Sequence, residues 1–317
     1  MRVAINGFGR IGRAVLRQIM ACHSDIEIVH INDIGGLETC AYLLKYDSVY
    51  GPYPGSVTSD DALVVDGKRI AFTADQALQA DLSGIDVLLE CTGKAKTRPF
   101  AEAGLRAGAA NVLISGPSDA ADQTLVLGVN EAGLGNDRII SNASCTTNAI
   151  GPLLTRLPAF EHAHITTIHV YTGSQPMVDA PRDSFARSRA GAVSMVPTTT
   201  SAAGQIEKLL PNCSGRVSVT AVRVPSVSVS AIDAVITFTG ALPDLAAITD
   251  HIIGTTTDAC VSTDMRARPE SLVLALPETR IIAGRQMRIF GWYDNEWGFS
   301  ARMIEMARHM HRRDRRT

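Results

Sequence analysis

The sequence predicts an α/β domain built on a parallel sheet, followed by an α+β domain with a mostly antiparallel sheet. Three observations carry this. In the first third, short apolar runs alternate with segments of helical period. Near residue 145 that texture gives way to longer strand-like runs, several of period two. A length of 317 residues suits two domains of ~100–200 residues each.

Val3, Ala4 and Ile5 read as a buried strand, and Arg10 to Met20 as a helix with Ile11, Val15, Leu16 and Ile19 on one face. Ile26 to Ile31 is the next strand and Leu37 to Lys45 the next helix. Ile85 to Leu89 reads as a strand ending at Cys91, Thr92 and Gly93; Arg98 to Ala107 is a helix and Asn111 to Ser115 a strand. Beyond residue 145, strands are expected at Ile165 to Tyr171, Arg216 to Val224, Val227 to Phe238, Ser271 to Leu276 and Met287 to Tyr293. Val217, Val219, Ala221 and Arg223 share one face of their strand, Ser218 and Thr220 the other. Gln205 to Leu210 and Leu245 to Thr256 look helical. The closing helix, Gly298 to Met310, runs into a basic end, His309 to Arg316, which would complement a helix C-terminus.

Charge and cysteine usage exclude several classes of partner. Thirty basic residues against 32 acidic ones leave a formal net charge of −2, with no general pull toward nucleic acid or an anionic membrane. No apolar stretch approaches the ~18–20 residues of a membrane span, and the N-terminus enters a strand at once, without a signal-peptide core. The six cysteines, at 22, 40, 91, 145, 213 and 260, form no CxxC pair and no Cys/His cluster of zinc spacing, so no metal site is expected. The expected location is a reducing cytoplasm. Lys stands only at 45, 68, 94, 96 and 208, which leaves 25 of the 30 basic residues as Arg. The planar Arg fork suits phosphate and carboxylate; a compositional bias toward Arg gives the same signature.

Between the first strand and first helix lie Asn6, Gly7, Phe8, Gly9, Arg10, Ile11 and Gly12, which fit G-x-G-x-x-G. In that position the first Gly permits a tight turn, the second lets a pyrophosphate approach the backbone, and the third lets helix and strand pack closely. The helix N-terminus supplies free N–H groups for phosphate. The fingerprint also asks for an acid about 20 residues on, at the end of the second strand, and Asp33 stands there. A carboxylate at that place accepts from the adenosine ribose and repels a 2′-phosphate, which favours NAD over NADP.

Ser141 to Asn148 is a polar octet around one thiol, Cys145, ahead of the apolar run Ala149 to Leu157. Pro152 is expected within the first turn or so of the helix that follows. Cys145 should therefore sit at a helix N-terminus, where the dipole and free N–H groups favour thiolate and can hold an oxyanion on an attacked carbonyl. The other five cysteines read as buried small hydrophobes. A thiol nucleophile needs a base; His169, just after the strand Ile165 to Ile168, is the candidate, with a purely structural histidine as the alternative. Arg223 is a charge on an otherwise apolar strand face, to be matched by a bound anion or by a carboxylate such as Asp233.

These segments form a recognisable whole. With INGFGRIGR (5–13), LLKYDSVYG (43–51), SNASCTTN (141–148), HVYT (169–172), SRAGAVSMVPTTT (188–200), AVRVP (221–225) and YDNEWGFS (293–300), the chain resembles the phosphorying branch of a known family. That family is the phosphorylating glyceraldehyde-3-phosphate dehydrogenases, and the resemblance spans essentially the full length. It implies a Rossmann-type NAD-binding domain over 1–144, completed by a C-terminal helix over 294–317, and a catalytic domain over 145–293. It implies Cys145 as nucleophile and His169 as base. Asn6, Gly7, Gly9, Arg10, Ile11, Gly12, Asp33, Thr92, Ser115 and Asn295 fall to the cofactor, which is NAD with NADP as a secondary one. Thr172, Arg187 and Arg223 fall to the substrate phosphate, and Ser144, Thr146, Thr200 and Ser201 to inorganic phosphate. The partners implied are a phosphorylated small aldehyde, inorganic phosphate and three further copies in a homotetramer. The implied chemistry is thiolate attack on the aldehyde, hydride loss to give a thioester, and release of an acyl phosphate by inorganic phosphate.

The sequence departs from that pattern in places. Ala149 stands where a second Cys is common, Ser201 where Gly is usual, and Phe299 where Tyr is frequent. Ser184 and Ala186 interrupt the usual basic run beside Arg187, and only 24 positions separate Cys145 from His169. Erythrose-4-phosphate dehydrogenase is the nearest alternative activity, with the same Cys/His chemistry and no acylation of phosphate. An NAD-binding protein without catalysis is the alternative of a different class.

Overall fold

The computed structural model describes residues 1–315. The chain divides into two units. The first holds Met1–Leu125, Glu131–Ala143 and the chain from Phe299 onward; the second holds Val126–Asn130 and Ser144–Gly298. Beside the expected division, 1–144 with 294–317 against 145–293, the turn at 126–130 counts with the second unit. Gly128 there packs against Ile252 and Arg156. Residues 316 and 317 of the expected C-terminal segment, including Arg316 of the basic run, lie outside the described residues.

In the first unit the elements are β1 (Arg2–Asn6), α1 (Arg10–Cys22), β2 (Glu27–Asn32), α2 (Leu37–Lys45), β3 (Val57–Ser59), β4 (Leu63–Val65) and β5 (Lys68–Thr73). Then come β6 (Val87–Glu90), α3 (Arg98–Ala101), α4 (Ala103–Arg106), β7 (Asn111–Ile114), β8 (Gln123–Thr124) and β9 (Ile139–Ser141). The sheet order is β3-β4-β5-β2-β1-β6-β7-β9-β8, parallel from β5 to β8, with β3 and β4 adding an antiparallel meander. Val3, Ala4, Ile5, Val87, Leu88 and Leu89 are all buried, as central parallel strands covered on both faces require. Around β1 the order turns from β2 on one side to β6 on the other, which opens a crevice at the strand ends.

The helix expected over Arg98 to Ala107 is two single turns, α3 and α4, because the backbone flattens at Glu102 (φ −76°, ψ −9°). Gly104 in α4 rides directly on Leu88 and Val112, where a Cβ would lie 2.4 Å from a Leu88 methyl.

The second unit contains α5 (Cys145–Arg156), β10 (Phe160–Val170), β11 (Val196–Thr198), α6 (Ala202–Leu209), β12 (Val217–Val224) and β13 (Ser230–Phe238). It continues with β14 (Ile253–Thr256), β15 (Leu272–Ala275), β16 (Arg280–Ile282) and β17 (Gln286–Tyr293); α7 (Trp297–Asp314) begins in it. The sheet runs β11-β12-β10-β13-β17-β15-β14, with β16 on β17. Only β10/β12 and β14/β15 are parallel pairs, so the sheet is mostly antiparallel, as expected. Ala149, Ile150, Leu153 and Leu154 of α5 join Ile165, Ile232, Ala234 and Ile236 of the sheet in one core.

Two expectations fail here. Leu245 to Thr256 is not a helix. The Asp250 carboxylate accepts from the Ile252 and Ile253 amides (2.7 and 2.9 Å), which turns the chain into β14. Gly254 and the β-branched Ile253, Thr255 and Thr256 suit a strand. Pro152 is not in the first turn of α5 but is its eighth residue, where its missing N–H removes one rung of the helix ladder. Among the described residues no helix is long and apolar enough to cross a membrane.

Candidate functional site

The glycine loop is built on a close approach. Gly7 has φ +94°, and a Cβ there would lie 2.6 Å from the Cys91 carbonyl carbon and the Thr92 nitrogen. Gly12 is pressed onto the Gly7 carbonyl oxygen at 2.4 Å from where its Cβ would be. Gly9 differs: a Cβ would meet nothing within 4 Å, so this glycine keeps space open rather than relieving a clash. It is the N-cap of α1 and has no side chain to cap the helix. Gly7, Gly9, Asn6, Asp33 and Thr92 line a cleft of about 580 Å³ in the first unit. Arg10 points to Asp47 and lies over the Tyr50 ring (5.3 Å). Ile11, in the first turn of α1, is partly buried.

Asp33 closes the loop from the other side. Its Oδ2 accepts from the Phe8 amide (2.6 Å) and its Oδ1 from the Gly35 amide (2.7 Å). Beneath lies a residue that pattern reading missed, Glu90, buried at the end of β6. It accepts from Asn6 Nδ2 (2.6 Å), the Thr92 amide (2.9 Å) and the Thr92 hydroxyl. Burial pushes its carboxyl up, against these hydrogen bonds. Its main-chain carbonyl takes the Ser115 amide (2.9 Å), so Asn6, Thr92 and Ser115 are organised by one acid.

In the second unit Cys145 is the first residue of α5, with Ser144 as N-cap accepting from the Thr147 amide (3.0 Å). Gln205 of α6, also missed, accepts from the Thr147 hydroxyl (2.5 Å) and the Ser144 amide (3.3 Å). Ala143, just before the cap, holds a left-handed φ of +56°. Cys145 Sγ lies 3.5 Å from His169 Nε2. His169 is buried near the end of β10, its Nδ1 2.8 Å from the Val170 carbonyl oxygen. Burial and the charge of Arg223 hold the ring down at about 4. Burial pushes the Cys145 thiol up, with Arg223 and Thr146 pulling the other way. Desolvation is the largest of these effects, and the Cys145 and Thr146 amides at the helix N-terminus work against it.

Residues 1–98 match the family model described as glyceraldehyde 3-phosphate dehydrogenase, NAD binding domain, and residues 144–295 match the corresponding C-terminal domain. The chain belongs to the glyceraldehyde-3-phosphate dehydrogenase family. A glyceraldehyde-3-phosphate dehydrogenase of Cereibacter sphaeroides is 44% identical, with 97% of each chain covered. Those of Xanthobacter flavus and Pseudomonas aeruginosa are 42% and 40% identical at the same coverage.

The remaining positions expected for a glyceraldehyde-3-phosphate dehydrogenase fall as follows. Thr146 is buried with its hydroxyl 3.0 Å from the Tyr293 hydroxyl, which also meets Thr167 (2.7 Å). Tyr293 went unnoticed in the sequence, although it opens the YDNEWG segment. Arg187 lies in a single 3-10 turn (Ala186–Ser188) and adds to the cost of charge on Arg223. Thr172 pairs with Ser174 (3.0 Å), and Thr200 accepts from the Ala202 amide (3.2 Å). Ser201 is exposed at the start of α6 and makes no side-chain cap bond. Asn295 accepts from Ser230 (3.2 Å).

Arg223 does not pair with Asp233. That carboxylate takes both arms of Arg288 of β17 (2.8 and 2.9 Å). Arg223 instead reaches His169 Nδ1 (2.5 Å) and the Val170 carbonyl (2.8 Å). Of the cysteines read as buried, Cys40 and Cys213 are buried and Cys91 and Cys260 partly so. Cys22 is exposed, because it ends α1.

Proposed function

We propose that this chain oxidises the aldehyde of glyceraldehyde 3-phosphate to 1,3-bisphosphoglycerate with reduction of NAD. The observation that carries the reading is the approach of Cys145 Sγ to His169 Nε2 (3.5 Å) at the N-terminus of α5. Cys145 attacks the aldehyde carbon, and the helix N-terminus with the Thr146 amide stabilises the oxygen that gains charge. His169 Nε2 gives that oxygen a proton and takes it back as the hydride departs, leaving a thioester on Sγ. Bound NAD supplies the hydride acceptor. The cleft at the glycine loop fits it, since Gly9 leaves the α1 N-terminus open to a pyrophosphate and the Asp33 carboxylate faces the loop. Asn6, Gly7, Arg10, Ile11, Gly12, Thr92, Ser115 and Asn295 are proposed to complete the cofactor contacts.

Arg187 and Arg223, with Thr172, would hold the phosphate of the substrate. Ser144, Thr146, Thr200 and Ser201 would hold the inorganic phosphate that attacks the thioester. A homotetramer is proposed from Met177, Val178, Phe185, Val193 and Met195, which stand 74–98% exposed along one segment of the second unit. Six unpaired cysteines suit a cytoplasmic location. The test is NADH production from glyceraldehyde 3-phosphate with and without inorganic phosphate. Sustained turnover to acyl phosphate only when phosphate is present supports the reading; turnover indifferent to phosphate overturns it.

A further inference from the structure

Beneath the cofactor cleft lies a carboxylate that no cation matches. Glu90 ends β6 and is 3% exposed. The hydrogen bonds around it fix it as an acceptor. The Asp75 amide, a donor only, reaches Asn32 Oδ1 (2.9 Å), so Asn32 Nδ2 is the group that faces Asn6 Oδ1 (2.8 Å). Asn6 Nδ2 is then left to donate to Glu90 Oε2 (2.6 Å). The Thr92 amide donates to Oε1 (2.9 Å). The Thr92 hydroxyl accepts from the Lys94 amide (3.1 Å) and turns its own hydrogen to the same Oε1. Three donors around two oxygens suit the ionised form. Among the described residues Glu90 nevertheless makes no ion pair. Lys94, exposed on the cleft, acts on it only from a distance. A buried charge without a counter-charge is costly.

We propose that Glu90 is the buried counter-charge for an oxidised nicotinamide, and that it makes the cleft hold NAD more firmly than NADH. The proposal rests on the reading of the glycine-loop cleft as the cofactor site. Asn6, Gly7, Cys91 and Thr92 line that cleft above Glu90. With the adenosine ribose at Asp33, after β2, and the pyrophosphate at the glycine loop, the other nucleotide extends toward the β6 side of β1, where Glu90 stands. Its ring carries one positive charge when oxidised and none when reduced. Hydride transfer moves two electrons and one proton from the substrate carbon to the ring and cancels that charge, while the Glu90 carboxylate stays. The attraction that seats the oxidised cofactor is therefore lost on reduction, which favours release of NADH. Glu90 touches no reacting atom; it acts across a floor of low dielectric, where a charge is felt further than in water.

The groups facing Glu90 are few. Asn6 comes from β1, and Thr92 and Lys94 from the turn after β6; Ser115, after β7, meets its main chain only. The neighbouring Cys91 thiol is pushed up to about 12 by burial and by Glu90, so it stays uncharged. Burial also pushes the Glu90 carboxyl up, which brings its titration closer to neutrality. A Glu90 that served only to orient Asn6 and Thr92 would strengthen the binding of both cofactor forms alike. A counter-charge separates them.

The test is calorimetric titration of the whole enzyme with NAD and, separately, with NADH, in the absence of aldehyde. In Glu90→Gln the ratio of the NADH Kd to the NAD Kd is expected to fall by about threefold or more, whatever happens to each Kd alone. Glu90→Asp keeps the charge and is expected to keep the ratio near that of the wild type. A ratio unmoved in Glu90→Gln overturns the proposal, and so does a ratio that falls equally in Glu90→Asp. If Glu90→Gln does not fold, the wild type decides. Its ratio should decline between about pH 8 and 5 as Glu90 takes up a proton, and a constant ratio overturns the proposal. His169, held down at about 4, and the Cys145 thiol, pushed up, stay uncharged over that window. A wild type that binds neither form removes the reading of the cleft itself; binding of both with an unmoved ratio removes only the counter-charge.

Discussion

Cys145 and His169 are pushed by burial in opposite senses, the thiol up and the imidazole down, and both pushes favour the uncharged forms. Cys145→Ser is expected to lower aldehyde oxidation by about 10³-fold or more, read as initial NADH production. Full activity in that variant would sink the thiol mechanism. The histidine also leaves a mark on stability. Its folded value, about 4, lies below the ordinary 6.5. The unfolded chain therefore binds the extra proton between those values, and stability falls as pH drops through that window. The loss amounts to about 3 kcal/mol at most. Denaturant midpoints in anion-free buffer should decline between pH 6.5 and 4 in the wild type, and less steeply in His169→Asn. Cys145 and Asp33 were legible because each stands at a fixed offset within a motif. Glu90 and Gln205 were not, since a single polar side chain leaves no periodicity. The partner of Arg223 was beyond the sequence for a topological reason: β10 lies between β12 and β13, so Asp233 is two strands away.

At the level of elements, two glycines in one loop predict different outcomes. Gly9→Ala should leave the thermal midpoint nearly unchanged, as its Cβ meets nothing, yet weaken NAD binding about tenfold by narrowing the phosphate approach. Gly12→Ala should destabilise by about 2 kcal/mol or more, because its Cβ must displace the Gly7 carbonyl. Equal effects in both variants, measured by calorimetry and NAD titration, would contradict this division of labour. Tyr293 fastens α5 to β10 through the hydroxyls of Thr146 and Thr167. Tyr293→Phe should cost about 1–3 kcal/mol, read from a urea midpoint. The first strands and helices were legible because local pattern and burial agree along β1, α1, β2 and α2. The meander β3 to β5 escaped because two of its strands have only three residues. Residues 245–256 misled because Leu245, Ile248 and Ile252 recur at helical spacing, while the Asp250 turn lies between them.

Across the whole molecule, a near-neutral chain with a strongly exposed apolar segment points to self-association rather than to a polyanion. Light scattering should find four copies for the wild type, and Phe185→Asp should shift the population toward smaller species; a monomeric wild type would remove the tetramer. The change of texture near residue 145 was legible in the sequence, whereas the membership of 126–130 is set by packing that no local pattern records. The last helix has a consequence for synthesis. Asn111 at the start of β7 donates to Asp314 (2.5 Å) and accepts from Arg313 (2.7 Å), partners some 200 positions later. A ribosome moving at ~5–20 residues per second needs roughly 10–40 s to cover that distance. Throughout that interval the nascent first unit lacks its closing helix, although the whole of the second is being made. Chains arrested before residue 299 should therefore remain protease-sensitive in the segment that binds the cofactor, and become resistant only as the C-terminus emerges.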